Sequence, residues 1–360
     1  MQRLLLGVIS LTIGVLWQGN PVLSQTNPSI NDPFPPPPES LDSTQRCTTQ
    51  HILNCWREVE LTHTLQGHNT AVSALTFTPE SDILISGGSF NDGHLRFWDT
   101  QSGGLRGERR SQQSRVASVA ISPDGQLLAS GGGDAKISLW QWQDRDQERL
   151  FIDHSNNILD LTITPNSTVL ISGGFDGIFV WDLRTLRPLY TLARFDPTYS
   201  LAIHPNGYIL ASGEQEGTIK LWNLRTGQLV AAFPGHQGKV RSLAFTPDGE
   251  YLLSGGEDRI LKIWDPETQQ RLTLLRGHTG RIMDISPHPS GQFFASSSRD
   301  GVRLWSLETG ELLNYFEAHD DWVQTLTFSP DGNHLATGSF DTQIKLWQGL
   351  TPEDAIEETQ

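Results

Sequence analysis

Five histidines recur in this chain at a fixed distance from a hydroxyl and then an acid. His68, His154, His236, His278 and His319 stand 18 residues before Ser86, Ser172, Ser254, Ser296 and Thr337. Asp92, Asp176, Asp258, Asp300 and Asp341 follow within six residues. Two further stretches place Asp134 and Glu216 where the acid belongs. Imidazole beside carboxylate can move protons or ligate a metal. A catalytic or metal centre is a unique constellation, however, and this one returns along the chain. The recurrence marks these residues as structural. Gly131, Gly132 and Gly133 lie between two apolar runs and lack the Lys-Ser/Thr of a phosphate-binding loop. Neither G-x-S-x-G nor H-E-x-x-H occurs. The sequence therefore predicts no catalytic, cofactor-binding or metal-binding residue.

The elements that position these residues follow from the tryptophans. Trp98, Trp140, Trp181, Trp222, Trp264, Trp305 and Trp347 recur every 41 or 42 residues, a period that calls for a repeat architecture. The fifth unit reads VRSLAF, TPDGE, YLLSGG, EDR, ILKIW, DPETQQ, RLTLL. Short apolar runs alternate with turn residues, which predicts four strands per unit. Four antiparallel strands cannot bury both faces alone. Stacking seven such sheets around an axis solves this, and closing the ring removes the end sheets.

The pairs Gly67-His68, Gly235-His236 and Gly277-His278, the S-G-G-x-D turns, and the endings Trp98-Asp99, Trp181-Asp182 and Trp264-Asp265 resemble the WD-repeat family. The resemblance spans about residues 58–348 and implies an all-β, seven-bladed β-propeller of four-stranded antiparallel blades. It implies that His, Ser or Thr, Asp and Trp of one unit form a buried hydrogen-bond chain, with Trp98, Trp181, Trp264, Trp305 and Trp347 completing the five full sets. Indole N–H only donates, carboxylate only accepts, and imidazole and hydroxyl relay between them. Unit two departs with Gln112 in place of His, and unit four with Arg194 and Glu216. Leu61 to Leu65 precedes the first Gly-His as an outer strand would. It is expected to close the ring beside Gln343 to Trp347.

The resemblance also implies a rigid, non-catalytic platform that binds proteins or peptides. In the family, side chains three and five residues after the His, and the one before the turn Asp, reach the rim of the central channel. Here those positions give Tyr199, Lys239, Arg241, Arg281, Met283, Arg299, Trp322, Gln324 and Phe340 in blades four to seven, with Pro197 and Glu257 among them. Blades one to three present Ala71, Ser73, Ala117, Gly133 and Asn157, with Arg115, Leu159 and Phe175 as exceptions. Arg, Trp, Tyr and Met are enriched at binding hot spots. The chain has 26 Lys and Arg against 41 Asp and Glu, a net charge of −15. That balance argues against nucleic acid as partner. It leaves a monomer whose cationic arc suits an acidic, partly apolar segment.

The ends read differently. Met1 to Ser24 carries one Arg, the uncharged run Leu4 to Trp17 and small residues Val22 and Ser24, the pattern of a cleaved secretory signal. An uncleaved anchor is the alternative. Residues 25–57 read as a Pro-rich spacer with a Cys47–Cys55 disulfide, and 349–360 as an acidic tail. The expected place is the periplasm or an equivalent compartment. Two other readings remain open: an exported propeller enzyme of the quinoprotein or lactonase-like kind, and a structural component of an envelope complex. Quinoprotein blades carry Thr-Gly before their Trp; here Thr226-Gly227 and Thr309-Gly310 follow it.

Overall fold

The computed structural model describes residues 52–142, 148–151 and 154–350. The signal reading, Cys47 with its pairing, and residues 351–360 lie outside the described residues.

Seven four-stranded antiparallel sheets form the seven blades. Blades one to six take residues 72–110, 116–151, 158–194, 198–234, 240–275 and 284–316. Blade seven takes three strands from residues 323–349 and its fourth from Val59–Leu65. Burial grades outwards within a blade. In blade five the second strand, Leu252–Gly256, is buried throughout, whereas the outer strand, Arg271–Leu275, runs from exposed Arg271 and Leu272 to buried Leu275.

The core lies between blades. Leu253, Leu261, Ile263 and Leu275 of blade five pack with Ile282, Ile285, Phe294 and Trp305 of the next. Full burial of one such aliphatic side chain stabilises by about 1.5–3 kcal/mol. The Ser-Gly-Gly repeat follows from this closeness. A Cβ at Gly255 would stand 2.4 Å from Ile282 Cγ2 of the neighbouring blade, and one at Gly256 would stand 2.6 Å from the His236 ring. The first glycine lets blades meet, and the second lets histidine in.

The ring closes through the N-terminal strand. Val59–Leu65 pairs antiparallel with Ile344–Gly349, from Val59 opposite Gly349 to Leu65 opposite Ile344. This strand begins two residues before the Leu61 expected from sequence. The preceding residues are core as well. Ile52–Cys55 forms one helical turn, and Ile52, Cys55 and the adjoining Trp56 are buried among blades six and seven. The Trp56 ring meets Phe328 edge-on at 5.1 Å and lies 6.0 Å from Phe293 and from His288. Ile52, Cys55 and Trp56 thus pack with the ring and not with the spacer expected over residues 25–57. Ile52, Cys55 and Trp56 share one face because helical spacing puts i, i+3 and i+4 together.

Candidate functional site

The five full sets are assembled alike. In blade five the Trp264 indole N–H donates to Ser254 Oγ at 2.8 Å. Ser254 Oγ lies 2.7 Å from His236 Nε2, and His236 Nδ1 lies 2.8 Å from Asp258. The same chain joins Trp98, Ser86, His68 and Asp92 and Trp181, Ser172, His154 and Asp176. It also joins Trp305, Ser296, His278 and Asp300 and Trp347, Thr337, His319 and Asp341. Burial lowers the pKa of His236 despite its acid partner, so the ring is neutral and relays one proton donor. Burial pushes the Asp258 carboxyl up, but the hydrogen bonds from His236 and the Gln237 N–H, with the Lys262 charge, together hold it below the usual range. Indole, hydroxyl, imidazole and carboxylate are thus bonded to one another within each set.

Blades two and four depart in different ways. In blade two Gln112 bonds backbone oxygens of Ser130 and Lys136 at 3.5 and 3.3 Å. Trp140 Nε1, Gln112 Oε1 and Asp134 Oδ1 are enclosed with no hydrogen-bond partner. In blade four Arg194 and Glu216 are exposed, and Glu216 does not replace the acid. Glu214 does. It occupies the second glycine's place, is buried, and accepts from Ser212 Oγ at 2.9 Å, while Trp222 donates to the same Oγ at 2.9 Å. The space that a histidine ring would claim is filled by the Glu214 side chain. Burial pushes its carboxyl up to about 7 despite the Lys220 charge.

One face of the ring opens into the central channel through a cavity of about 620 Å³. Tyr199, Lys239, Arg241, Arg281, Met283, Gln324 and Phe340 line it. Trp322 stands behind Arg281, whose guanidinium lies 4.6 Å over the indole. Arg299 is exposed and is not among the lining residues. Lys239 Nζ lies 4.8 Å over the Tyr199 ring, and the Arg241 guanidinium 6.0 Å over it. Glu257 bonds Arg241 Nη2 at 2.7 Å. Burial and the nearby Arg241 charge lower the Arg281 pKa, with Glu257 offsetting part. The lining continues through blades one to three with Phe90, Arg115, Asn157, Leu159 and Phe175. Phe90 was missed by the sequence. The longer turn Ser89 to Asp92 in blade one puts three residues, where blade five has one, between the strand and its Asp.

Residues 89–348 match the family model described as IFT122 first beta-propeller, and residues 59–99 match that of the WD domain, G-beta repeat. The chain belongs to the WD-repeat β-propeller family. It is 30% identical over 182 residues to the periodic tryptophan protein 2 homolog of Dictyostelium discoideum, covering 49% of this chain and 19% of that protein. It is 31% identical over 193 residues to transducin beta-like protein 3 of Bos taurus, covering 49% and 24%. The guanine nucleotide-binding protein subunit beta of Oryza sativa subsp. japonica is 26% identical over 313 residues, 79% of this chain and 82% of that one. The chain spans only about a fifth to a quarter of the first relatives' length.

Within this WD-repeat ring, two acids below the mouth carry a role that the sequence reading did not assign. Asp160 of blade three accepts from Ser118 Oγ of blade two at 3.0 Å, from its neighbour Leu161 N at 2.8 Å and from Leu201 N of blade four at 2.7 Å. Asp284 of blade six repeats this with Ser242 Oγ, Ile285 N, Thr325 Oγ1 and Leu326 N at 2.9–3.0 Å. Both line the same cavity. Both stand five residues before the turn proline, where the other blades have Ala74, Ser118, Ser200, Ser242 and Thr325. That shared offset was the signal available.

Proposed function

We propose that this chain is a non-catalytic, exported protein-binding scaffold, whose channel mouth receives an acidic, partly apolar segment of a partner protein. The observation that carries this is the mouth itself. Lys239, Arg241 and Arg281 converge from two adjacent blades beside Tyr199 and Trp322, with Glu257 as the carboxylate bonded to Arg241. The rest of the protein is acidic, so the arc is the place where a negatively charged segment gains most. Its aromatic and arginine side chains are held by stacking and lose little freedom on binding. The family supports the reading: one relative is by name a subunit of a guanine nucleotide-binding protein. Export rests on the signal pattern of Met1 to Ser24, and the Cys47–Cys55 disulfide belongs with it.

The test is capture of partners from an extract of the source cells by the immobilised protein and by the Arg281→Ala, Trp322→Ala variant. A partner held by the former, lost by the latter and eluted by salt supports the reading. A partner held equally by both places the interface elsewhere.

A further inference from the structure

Several enclosed side-chain atoms of the channel mouth have no hydrogen-bond partner. They are the Nε groups of Arg115, Arg241 and Arg281 and the Oε1 of Gln324. All four residues line the one cavity. An enclosed polar atom without a partner is costly, and each of these four sits on a side chain that lines the cavity, so turning that side chain toward a ligand would supply the missing partner. Three require acceptors and one requires a donor.

The three guanidiniums fall into two places. Arg241 and Arg281 come from blades five and six, and the Arg241 charge adds to burial in lowering the Arg281 pKa. Arg115 comes from blade two, and burial alone lowers its pKa. No neighbouring charge contributes there. Between them runs the apolar wall of blades three and four, where Phe175 meets Tyr199 edge-on at 5.8 Å beside Leu159. The acids in the cavity do not answer these donors. Asp160 and Asp284 spend their oxygens on the backbone and hydroxyls of neighbouring blades. Glu257 bonds Arg241 through Nη2 and leaves its Nε.

Resting on the function proposed above, we infer that the mouth seats an extended peptide bearing two carboxylates separated by an apolar side chain. One carboxylate is held by Arg115 and the other by Arg241 and Arg281. The apolar side chain lies on Phe175 and Tyr199, and a backbone N–H of the peptide meets Gln324 Oε1. A peptide supplies acceptors, a donor and an apolar group in one strand. A small oxyanion supplies acceptors at one end only.

The test is fluorescence anisotropy with the full chain and a labelled peptide carrying two aspartates around a phenylalanine, in a series of glycine spacers of increasing length. One aspartate is replaced by asparagine in the control peptide, and inorganic phosphate is the competitor. At the best spacing the two-acid peptide is expected to bind about tenfold tighter than the control, a charge-assisted hydrogen bond's worth. Arg115→Gln and Arg281→Gln are each expected to remove about that factor with the melting temperature unchanged. If Arg281→Gln weakens binding and Arg115→Gln does not, the two-ended site is overturned and the proposed function stands. Displacement by phosphate as effective as by unlabelled peptide also overturns the two-ended site. If no peptide in the series binds, or neither substitution matters, both readings fall.

Discussion

Asp160 and Asp284 occupy the same register three blades apart, and each ties its own blade to both neighbours. Together they link blades two to four and five to seven across the channel wall. Asp160→Ala leaves the Leu201 amide and the Ser118 hydroxyl without their acceptor, while the Leu161 amide keeps Ser118 Oγ at 3.1 Å. The expected cost is about 2–4 kcal/mol, with at least as much for Asp284→Ala, which loses one more bond. Chemical denaturation measures it. A cost below about half a kcal/mol for both would mean that channel water replaces them.

The acids also set a pH dependence. Burial, the largest influence, pushes the Asp160 carboxyl up from 3.8 to about 7 despite its hydrogen bonds, and the nearby Asp284 charge adds to this. Between those values the native state holds a proton that the unfolded chain has released. The contribution of Asp160 is therefore fully present below about pH 4 and is lost as pH rises towards 7. Glu214 acts in the same direction. The acids of the full sets act oppositely, since Asp258 and its counterparts are held low. The stability difference between wild type and Asp160→Asn should change over that window. A difference independent of pH contradicts the assignment.

Blade two invites repair. Gln112→His restores the ring that Ser130, Asp134 and Trp140 lack, and gives the Trp140 N–H a relayed acceptor. Stability is expected to rise by about 1 kcal/mol, read as a higher denaturation midpoint. No rise would mean that the blade-two backbone does not admit the ring.

How far the sequence could be read depends on whether a residue repeats. The five hydrogen-bonded sets, the blade count and the closing strand were legible because the period fixes each position relative to a proline or tryptophan. Glu214 was not, since its role depends on an absence: with Arg194 in the histidine's place, the second-glycine position is free to carry a side chain. Asp160 and Asp284 were hidden because they alternate with serine at their register, and only the structure shows that serine and aspartate there bond one another. Trp56 lies before the first repeat, where no period guides the reading. Tyr199, Lys239, Arg241, Arg281, Met283, Gln324 and Phe340 line the cavity as expected from sequence, because the offset along the inner strand is constant. Arg299 does not, because it sits in a turn whose side chain points to solvent.

The N-terminal segment should behave as two parts. Removing residues 25–45 is expected to leave the melting temperature unchanged. Trp56→Ala should cost about 3–5 kcal/mol, as for a buried aromatic. Equal small effects would show that the packing of Trp56 on Phe328, Phe293 and His288 contributes little.

Export has its own readout. Amino-terminal sequencing of the protein from its source cells should begin near Gln25, and its mass under non-reducing conditions should show one disulfide. A protein that begins at Met1 in washed membranes contradicts cleavage.

The most direct test of the account is the affinity of a captured partner for the wild type and for the Arg281→Ala, Trp322→Ala variant, both checked for an unchanged melting temperature. The stacked pair at the channel mouth predicts a Kd raised at least about thirtyfold in the variant, the scale of a hot spot, with a steep salt dependence in the wild type. An unchanged Kd with the fold intact would contradict binding at the mouth.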